Sequence, residues 1–219
     1  MQYEIMKSAS AAVSEPDTDM ALINAQALKE LTPEEIYTFK VTACDDLVDR
    51  DLERFPLRTL EKLAPMFVGR TVIADHHWSS RNQQARIYKT EVVDLGDRHA
   101  LQAHCYMLRT DATGDVIAAI EGGILREVSV GCAIGRIACG ICGGDAGNCQ
   151  HIKGAQYDGR ICHYDLMDPL DAYELSFVAV PAQPGAGVTK THDKTGWTPA
   201  DMAKAKAQLQ IENERWKYH

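Results

Sequence analysis

The sequence predicts a β-rich α+β fold: a closed, mostly antiparallel β-barrel with helices packed outside it. Three observations carry that expectation. Several short segments alternate apolar and polar residues with the period of a strand, short turns join neighbouring segments, and only two or three stretches carry a helical period. With 219 residues, 45% of them apolar, the chain can form one domain with a real core.

In chain order, residues 1–34 read as a mobile N-terminal segment. Its SASAAVSEPDTD is small and polar, and a short helix over ALINAQALKEL stops before Pro33. In YTFKVTA, Tyr37, Phe39, Val41 and Ala43 fall on one strand face. PLRTLEKLAPMF predicts a helix with Leu57, Leu60 and Leu63 on one side. TVIAD and ARIYKTEVV read as strands, as does HALQAHCYML, whose Leu101, Ala103, Cys105 and Met107 face one way. DATGDVIAAIEGG predicts a helix started by Asp111 or Thr113 and stopped by Gly122-Gly123. The strand ILREVSVGCAI follows, then a Gly/Cys-rich insert over 138–160. RICHYD and AYELSFVAV predict two final strands, the second closed by Pro181. Residues 191–219 read as a tail carrying a solvated helix.

The net charge of −8 argues against wrapping duplex DNA, which needs clustered Lys and Arg. No apolar run is long enough to span a membrane, and MQYEIMKSAS lacks a signal-peptide core, so the expected compartment is cytoplasmic. The seven cysteines fit it too: the number is odd, and four crowd into residues 132–149, which points to metal binding or free thiols rather than a secreted disulfide framework.

Four constellations carry chemistry. ADHHWSS places Asp75, His76 and His77 at the end of a strand, where a side chain meets solvent on a rigid backbone, as a general base requires. A surface loop with two incidental histidines is an equal reading of this stretch alone. Ser129 lies within LREVSVGCAIG, sharing a face with Leu125 and Glu127. Serine is a nucleophile only when a base takes its proton, and a core serine bonded to a carbonyl is the plainer reading. In AYELSFVAV, Glu174 and Ser176 share one face, and Tyr173, Leu175 and Phe177 the other. A carboxylate within an apolar strand needs a partner, a histidine as in a catalytic triad or an arginine such as Arg126 or Arg136. Finally, CGICGGDAGNCQH gives Cys139, Cys142, Cys149 and His151 in a C-x2-C-x6-C-x-H spacing, a complete tetrahedral zinc set with no open position. Such a site is structural. Cys132, Cys162 and His163 are spare donors.

In order, these segments resemble the tailed-phage prohead protease family, the serine proteases of capsid maturation, over roughly residues 35–190. GRTVIADHHW followed by RIYKTEVV is similar to the family's histidine block, GGILREVSVGC to its serine strand, and YELSFVAVPAQPGA to its closing block. The resemblance implies an assemblin-like β-barrel, a protease domain over 35–190 with the Cys-rich insert inside it, and a serine endopeptidase needing no cofactor for catalysis. It implies His76 as base, Ser129 as nucleophile and Glu174 as third member, with His77 as the alternative base and Asp111, Asp115 or His104 as alternative third members. The implied substrates are capsid and scaffold proteins, and the chain's own ends, inside the prohead in the host cytoplasm. Nucleic acid and membrane are not expected partners, and a homodimer is open, since assemblin relatives dimerise. Two other functions fit parts of the sequence: a catalytically inactive capsid-assembly or scaffold protein, and a zinc-dependent nuclease of the His-Asn-His type, against which the charge and the distance from His77 to Cys139 both argue.

Overall fold

The computed structural model describes residues 3–13, as backbone, and 18–180. The expected tail helix and the Pro181 block lie outside the described residues. Strands β1 (Tyr3–Val13), β2 (Ile36–Asp45), β3 (Glu53–Arg54), β4 (Thr71–Ala74), β5 (Ala85–Asp94), β6 (His99–Leu108), β7 (Glu127–Cys139) and β10 (Tyr164–Phe177) form one mixed sheet. Its order is β3-β10-β4-β5-β6-β2-β1-β7, and β10 also pairs with β7. β10 runs parallel to β3 and β4, and the other pairings are antiparallel. A separate hairpin, β8 (Gln156–Tyr157) and β9 (Arg160–Ile161), stands in the Cys-rich insert. Among the described residues there are three α-helices: α1 (Met20–Asn24), α2 (Leu57–Phe67) and α3 (Asp111–Glu121). Among the described residues no helix is long and apolar enough to cross a membrane.

The alternating segments build the core. Tyr37, Phe39, Val41 and Ala43 of β2 meet Leu101, Ala103, Cys105 and Met107 of β6 in one buried cluster. From β7 come Val128, Val130, Cys132 and Ile134, and from β10 Leu175 and Phe177. α2 adds Leu60, Leu63 and Phe67, and α3 adds Ile117 and Ile120. Each large side chain so buried contributes about 1.5–3 kcal/mol relative to exposure. Thr59 of α2 donates its hydroxyl to the Leu166 carbonyl at 2.9 Å, fixing the helix against β10.

Several elements differ from the sequence reading. Tyr3–Val13, expected in a mobile segment, forms β1 and lies between β2 and β7, pairing with both through its backbone. The helix expected over 21–31 ends at Asn24. The Asn24 side chain accepts from the Leu31 N–H at 2.9 Å and donates to the Leu31 carbonyl at 3.2 Å, which folds the following residues back on α1. α3 is preceded by Thr110 at the capping position, its N–H bonded to Thr113 Oγ1 at 2.9 Å, and Asp111 lies inside the first turn. Gly123 ends that helix with a φ of +71°. The expected strand RICHYD is divided, Arg160–Ile161 forming β9 and Tyr164 opening β10, which runs on into the expected last strand as a register shift at Pro169 to Asp171 absorbs the missing N–H. β7 runs to Cys139, so the insert starts two residues later than its expected boundary.

Candidate active site and candidate metal centre

The site is built where β4, β7 and β10 meet. After β4 the chain turns sharply. The Ala74 carbonyl accepts from the His77 N–H at 3.0 Å, and the two residues between have positive φ, +55° at Asp75 and +50° at His76. That is a type I′ turn made without glycine. Asp and His enter this region more readily than most residues, yet each still costs about 1–2 kcal/mol. The turn is held in place by its neighbours. The Asp75 N–H donates to the Phe177 carbonyl at 2.9 Å, and the Asn82 amide donates to the Ala74 and His77 carbonyls at 2.9 and 2.8 Å.

This turn delivers the His76 ring to Glu174, with Nδ1 2.8 Å from Oε1. Glu174 is 2% exposed, and His76 keeps some contact with solvent. The Ser176 hydroxyl donates to Glu174 Oε2 at 2.6 Å and accepts the His76 backbone N–H at 3.0 Å. Both carboxylate oxygens are thus partnered, which meets the demand that a buried carboxylate makes. A carboxylate has no hydrogen to give, so Nδ1 of His76 carries it, and the neutral ring presents a lone pair at Nε2.

Ser129 stands beside this pair. In the β7–β10 register Ser129 lies opposite Ser176, and Gly131 opposite Glu174. All four face away from the core side chains Val128, Val130, Leu175 and Phe177. A bulge creates that placement. Between Ala172 and Glu174 β10 carries one residue more than β7, and the extra residue re-aims Glu174 from the core face to the Ser129 face. Tyr173, expected on the core face, is that extra residue. It leaves the core and meets Trp78 edge-on at 5.4 Å. Gly131 makes room for the carboxylate: a Cβ there would lie 2.4 Å from Glu174 Oε1. Ser129 is 2% exposed, and among the described residues its hydroxyl has no hydrogen-bond partner. The two serines are therefore unlike. Ser176 is spent on the carboxylate and the turn, and Ser129 is not.

The alternative site residues lie elsewhere. His77 is exposed at the far corner of the turn. His104 is buried on β6 with Nε2 3.0 Å from Glu91 Oε1. Asp111 and Asp115 sit on the exposed side of α3. Sequence reasoning gave no role to Ser176 or Gly131. The Glu-x-Ser alternation carried the signal for the first, and nothing local carried it for the second.

In the insert, one donor atom from each of Cys139, Cys142, Cys149 and His151 lies within 4.8 Å of the others. Tetrahedral sulfur ligands at about 2.3 Å from a metal would stand about 3.8 Å apart, so the cluster is near coordination distance. Two further observations fit a metal ion. The His151 Nδ1 is buried with no hydrogen-bond partner, and the Ile141 N–H points at Cys139 Sγ at 3.4 Å. Burial pushes the Cys139 thiol up, but the N–H groups of Cys142 and Ile141 and the neighbouring Cys149 and Cys162 thiols outweigh it and bring it down to about 6. Cys162 is a fifth donor, its Sγ 3.8 Å from that of Cys139. Burial and the adjacent thiols push it up to about 11. Of the other spare donors, Cys132 lies in the core cluster, and His163 Nε2 lies 3.4 Å from Asp165.

No protein-family model matches the chain, and no curated protein matches it by sequence. Among solved structures the chain is similar to the bacteriophage T4 capsid assembly protease gp21, with a TM-score of 0.41 and 13% identity over 82% of this chain and 99% of that one.

Proposed function

We propose that the chain is a serine endopeptidase in which His76 is the base, Ser129 the nucleophile and Glu174 the residue that orients His76. The observation that carries this reading is the His76 Nδ1–Glu174 Oε1 contact of 2.8 Å on the strand face that also holds Ser129. His76 Nε2 takes the proton of the Ser129 hydroxyl as Oγ attacks a peptide carbonyl carbon. The same proton passes to the leaving amine nitrogen, and water then hydrolyses the acyl-serine by the reverse order of steps. Glu174 keeps the hydrogen on Nδ1 and stabilises the imidazolium while it lasts. Among the described residues the Ser129 hydroxyl is unpartnered, which supports the nucleophile over a core serine bonded to a carbonyl.

The substrate reading rests on the three sequence blocks that resemble prohead proteases: capsid and scaffold proteins, and the chain's own ends, inside a prohead in the host cytoplasm. The pairing of β10 with both β4 and β7 supports closure of the sheet into a barrel, and because β1 lies in that sheet between β2 and β7, the protease domain takes in Tyr3–Val13 as well as the 35–190 read from the sequence. Zinc suits the three thiols and the imidazole of Cys139, Cys142, Cys149 and His151, and with no position left for water it would act in structure alone. Those residues would hold it, and catalysis uses none of them.

The test is co-expression of the wild type and of Ser129→Ala with capsid and scaffold proteins, followed by intact-mass measurement. Defined cleavage in the wild type alone supports the protease. Identical masses with a folded wild type refute it and leave an inactive assembly protein. Activity that survives Ser129→Ala but not a chelator would favour a metal-dependent nuclease.

A further inference from the structure

Beside the His76–Glu174 pair lies a cavity of about 370 Å³, lined by residues that include Ile73, Trp78, Tyr173 and Glu174. It is not a separate hollow. Glu174 is a wall of both the cavity and the hydrogen-bonded pair. Trp78 is two residues after His76, and Tyr173 immediately precedes Glu174. The turn and the bulge that place the reacting groups therefore place the cavity walls as well. Trp78 is 55% exposed, a large apolar surface left in water beside a candidate reacting centre. Such aromatic pairs with one wet face are characteristic anchors for a ligand's apolar groups.

The charge at the cavity mouth decides what can enter. Among the described residues Arg70 is the one cation lining it, and it is already committed. Its guanidinium bonds Asp171 at 2.6 Å and its Nε donates to the Met66 carbonyl at 3.1 Å. An acidic side chain would find that charge already paired with Asp171, and a basic one would find both Glu174 oxygens occupied by His76 and Ser176, with only the ring faces left to attract it. What remains is a pocket of ordinary ligand size whose walls are the Trp78 and Tyr173 rings and Ile73, with the uncharged polar residues Thr71, Ser79, Ser80 and Gln83 around them.

We propose that this cavity is the substrate subsite of the enzyme, and that it receives an uncharged apolar side chain, of leucine, methionine or phenylalanine size, at a fixed position next to the bond that is cut. The proposal rests on the endopeptidase reading above. The experiment is cleavage of a random peptide library by the full chain, with products sequenced by mass spectrometry, for wild type, Ser129→Ala, Trp78→Ala and Trp78→Phe. Ser129-dependent cuts should align on an apolar residue at one position. For matched peptides carrying leucine or alanine there, Trp78→Ala should lower the leucine-to-alanine ratio of kcat/KM by about tenfold or more, and Trp78→Phe should restore most of it. If Trp78→Ala does not fold, Tyr173→Ala gives the same reading. Ser129-dependent cuts aligned on an acidic or basic residue or on none, or a ratio unmoved by these variants, overturn the subsite and leave the peptidase standing. A library uncut by wild type and Ser129→Ala alike overturns both.

Discussion

Replacing Gly131 by alanine tests the site through a residue that takes no part in the chemistry. The new Cβ would sit 2.4 Å from Glu174 Oε1 and 3.2 Å from Cδ. A non-bonded carbon and oxygen approach to about 3.3 Å, so the carboxylate has to retreat by about 1 Å. Its two bonds, 2.8 Å to His76 Nδ1 and 2.6 Å from Ser176, cannot both survive such a shift. Losing one charge-assisted hydrogen bond in a buried site costs about 1.5–3 kcal/mol, so the melting temperature should fall by roughly 3–10 °C for a domain of this size. The rate should fall further than the stability. An unsteered histidine samples the wrong tautomer and orientation, and the expected loss in kcat lies between about 10²-fold and 10⁴-fold, the upper figure being that for a triad without its acid. The assay is peptide hydrolysis beside calorimetry on the same preparation. A Gly131→Ala protein with wild-type kcat would refute the proposed role of Glu174, and so would one whose activity falls only as far as its folded fraction.

Other perturbations separate the parts. Ser176→Ala strips one oxygen of Glu174 and the His76 N–H of their partner, and should lower kcat by about tenfold, whereas Ser129→Ala should lower it by several orders of magnitude; a larger loss in Ser176→Ala than in Ser129→Ala would argue that the serines had been assigned the wrong way round. Phe39→Ala, at the centre of the core, should destabilise by about 3–5 kcal/mol in denaturant titration without altering the specificity of any activity that remains. A cobalt-loaded chain should show thiolate-to-metal charge-transfer bands. They should persist in Cys132→Ser and weaken in Cys139→Ser, which leaves two of the three thiolates, while the ligand-field bands of His151→Ala and Cys162→Ser report which of those two completes the set. In the metal-free protein, thiolate absorbance should rise through about pH 6 as Cys139 loses its proton and vanish from that range in Cys139→Ser; the absence of any thiolate below the ordinary cysteine range would contradict the hydrogen bonding seen around Cys139.

Much of the framework was legible because alternation is a local property. β2 and β6 could be read, face by face, from Tyr37, Phe39, Val41 and from Leu101, Ala103, Cys105, since each inward residue is two from the next. The Cys-rich cluster was legible for a similar reason: a short glycine-rich loop leaves its donors few places to go. Elements that depend on distant partners were not legible. β1 runs through the small residues of SASAA, which carry little alternation, and the strands it pairs with, β2 and β7, lie far along the chain. Strict alternation assigned Tyr173 to the core, and the bulge at that point cancels the alternation. Nor does spacing reveal that His76 and Glu174, 98 positions apart, would meet. That approach is made by a turn of two left-handed residues, which leaves no more trace in the sequence than the tolerance of Asp and His for it.

The insert joins the far end of β7 to the start of β10, with Cys139 as the last residue of one strand and Cys162 two residues before the other. These are the strands that carry Ser129 and Glu174, and their alignment has a failure mode. A slip of one residue between them would turn either side chain to the opposite face, and the core residues Val128, Val130, Leu175 and Phe177 with it. A clasp at the strand ends acts as an indexing pin, setting the count from which every later pairing is measured. Seen this way, the loop between the two attachment points is free to drift in length and composition, while the number of residues from Cys139 back to Ser129, and from Cys162 on to Glu174, is not.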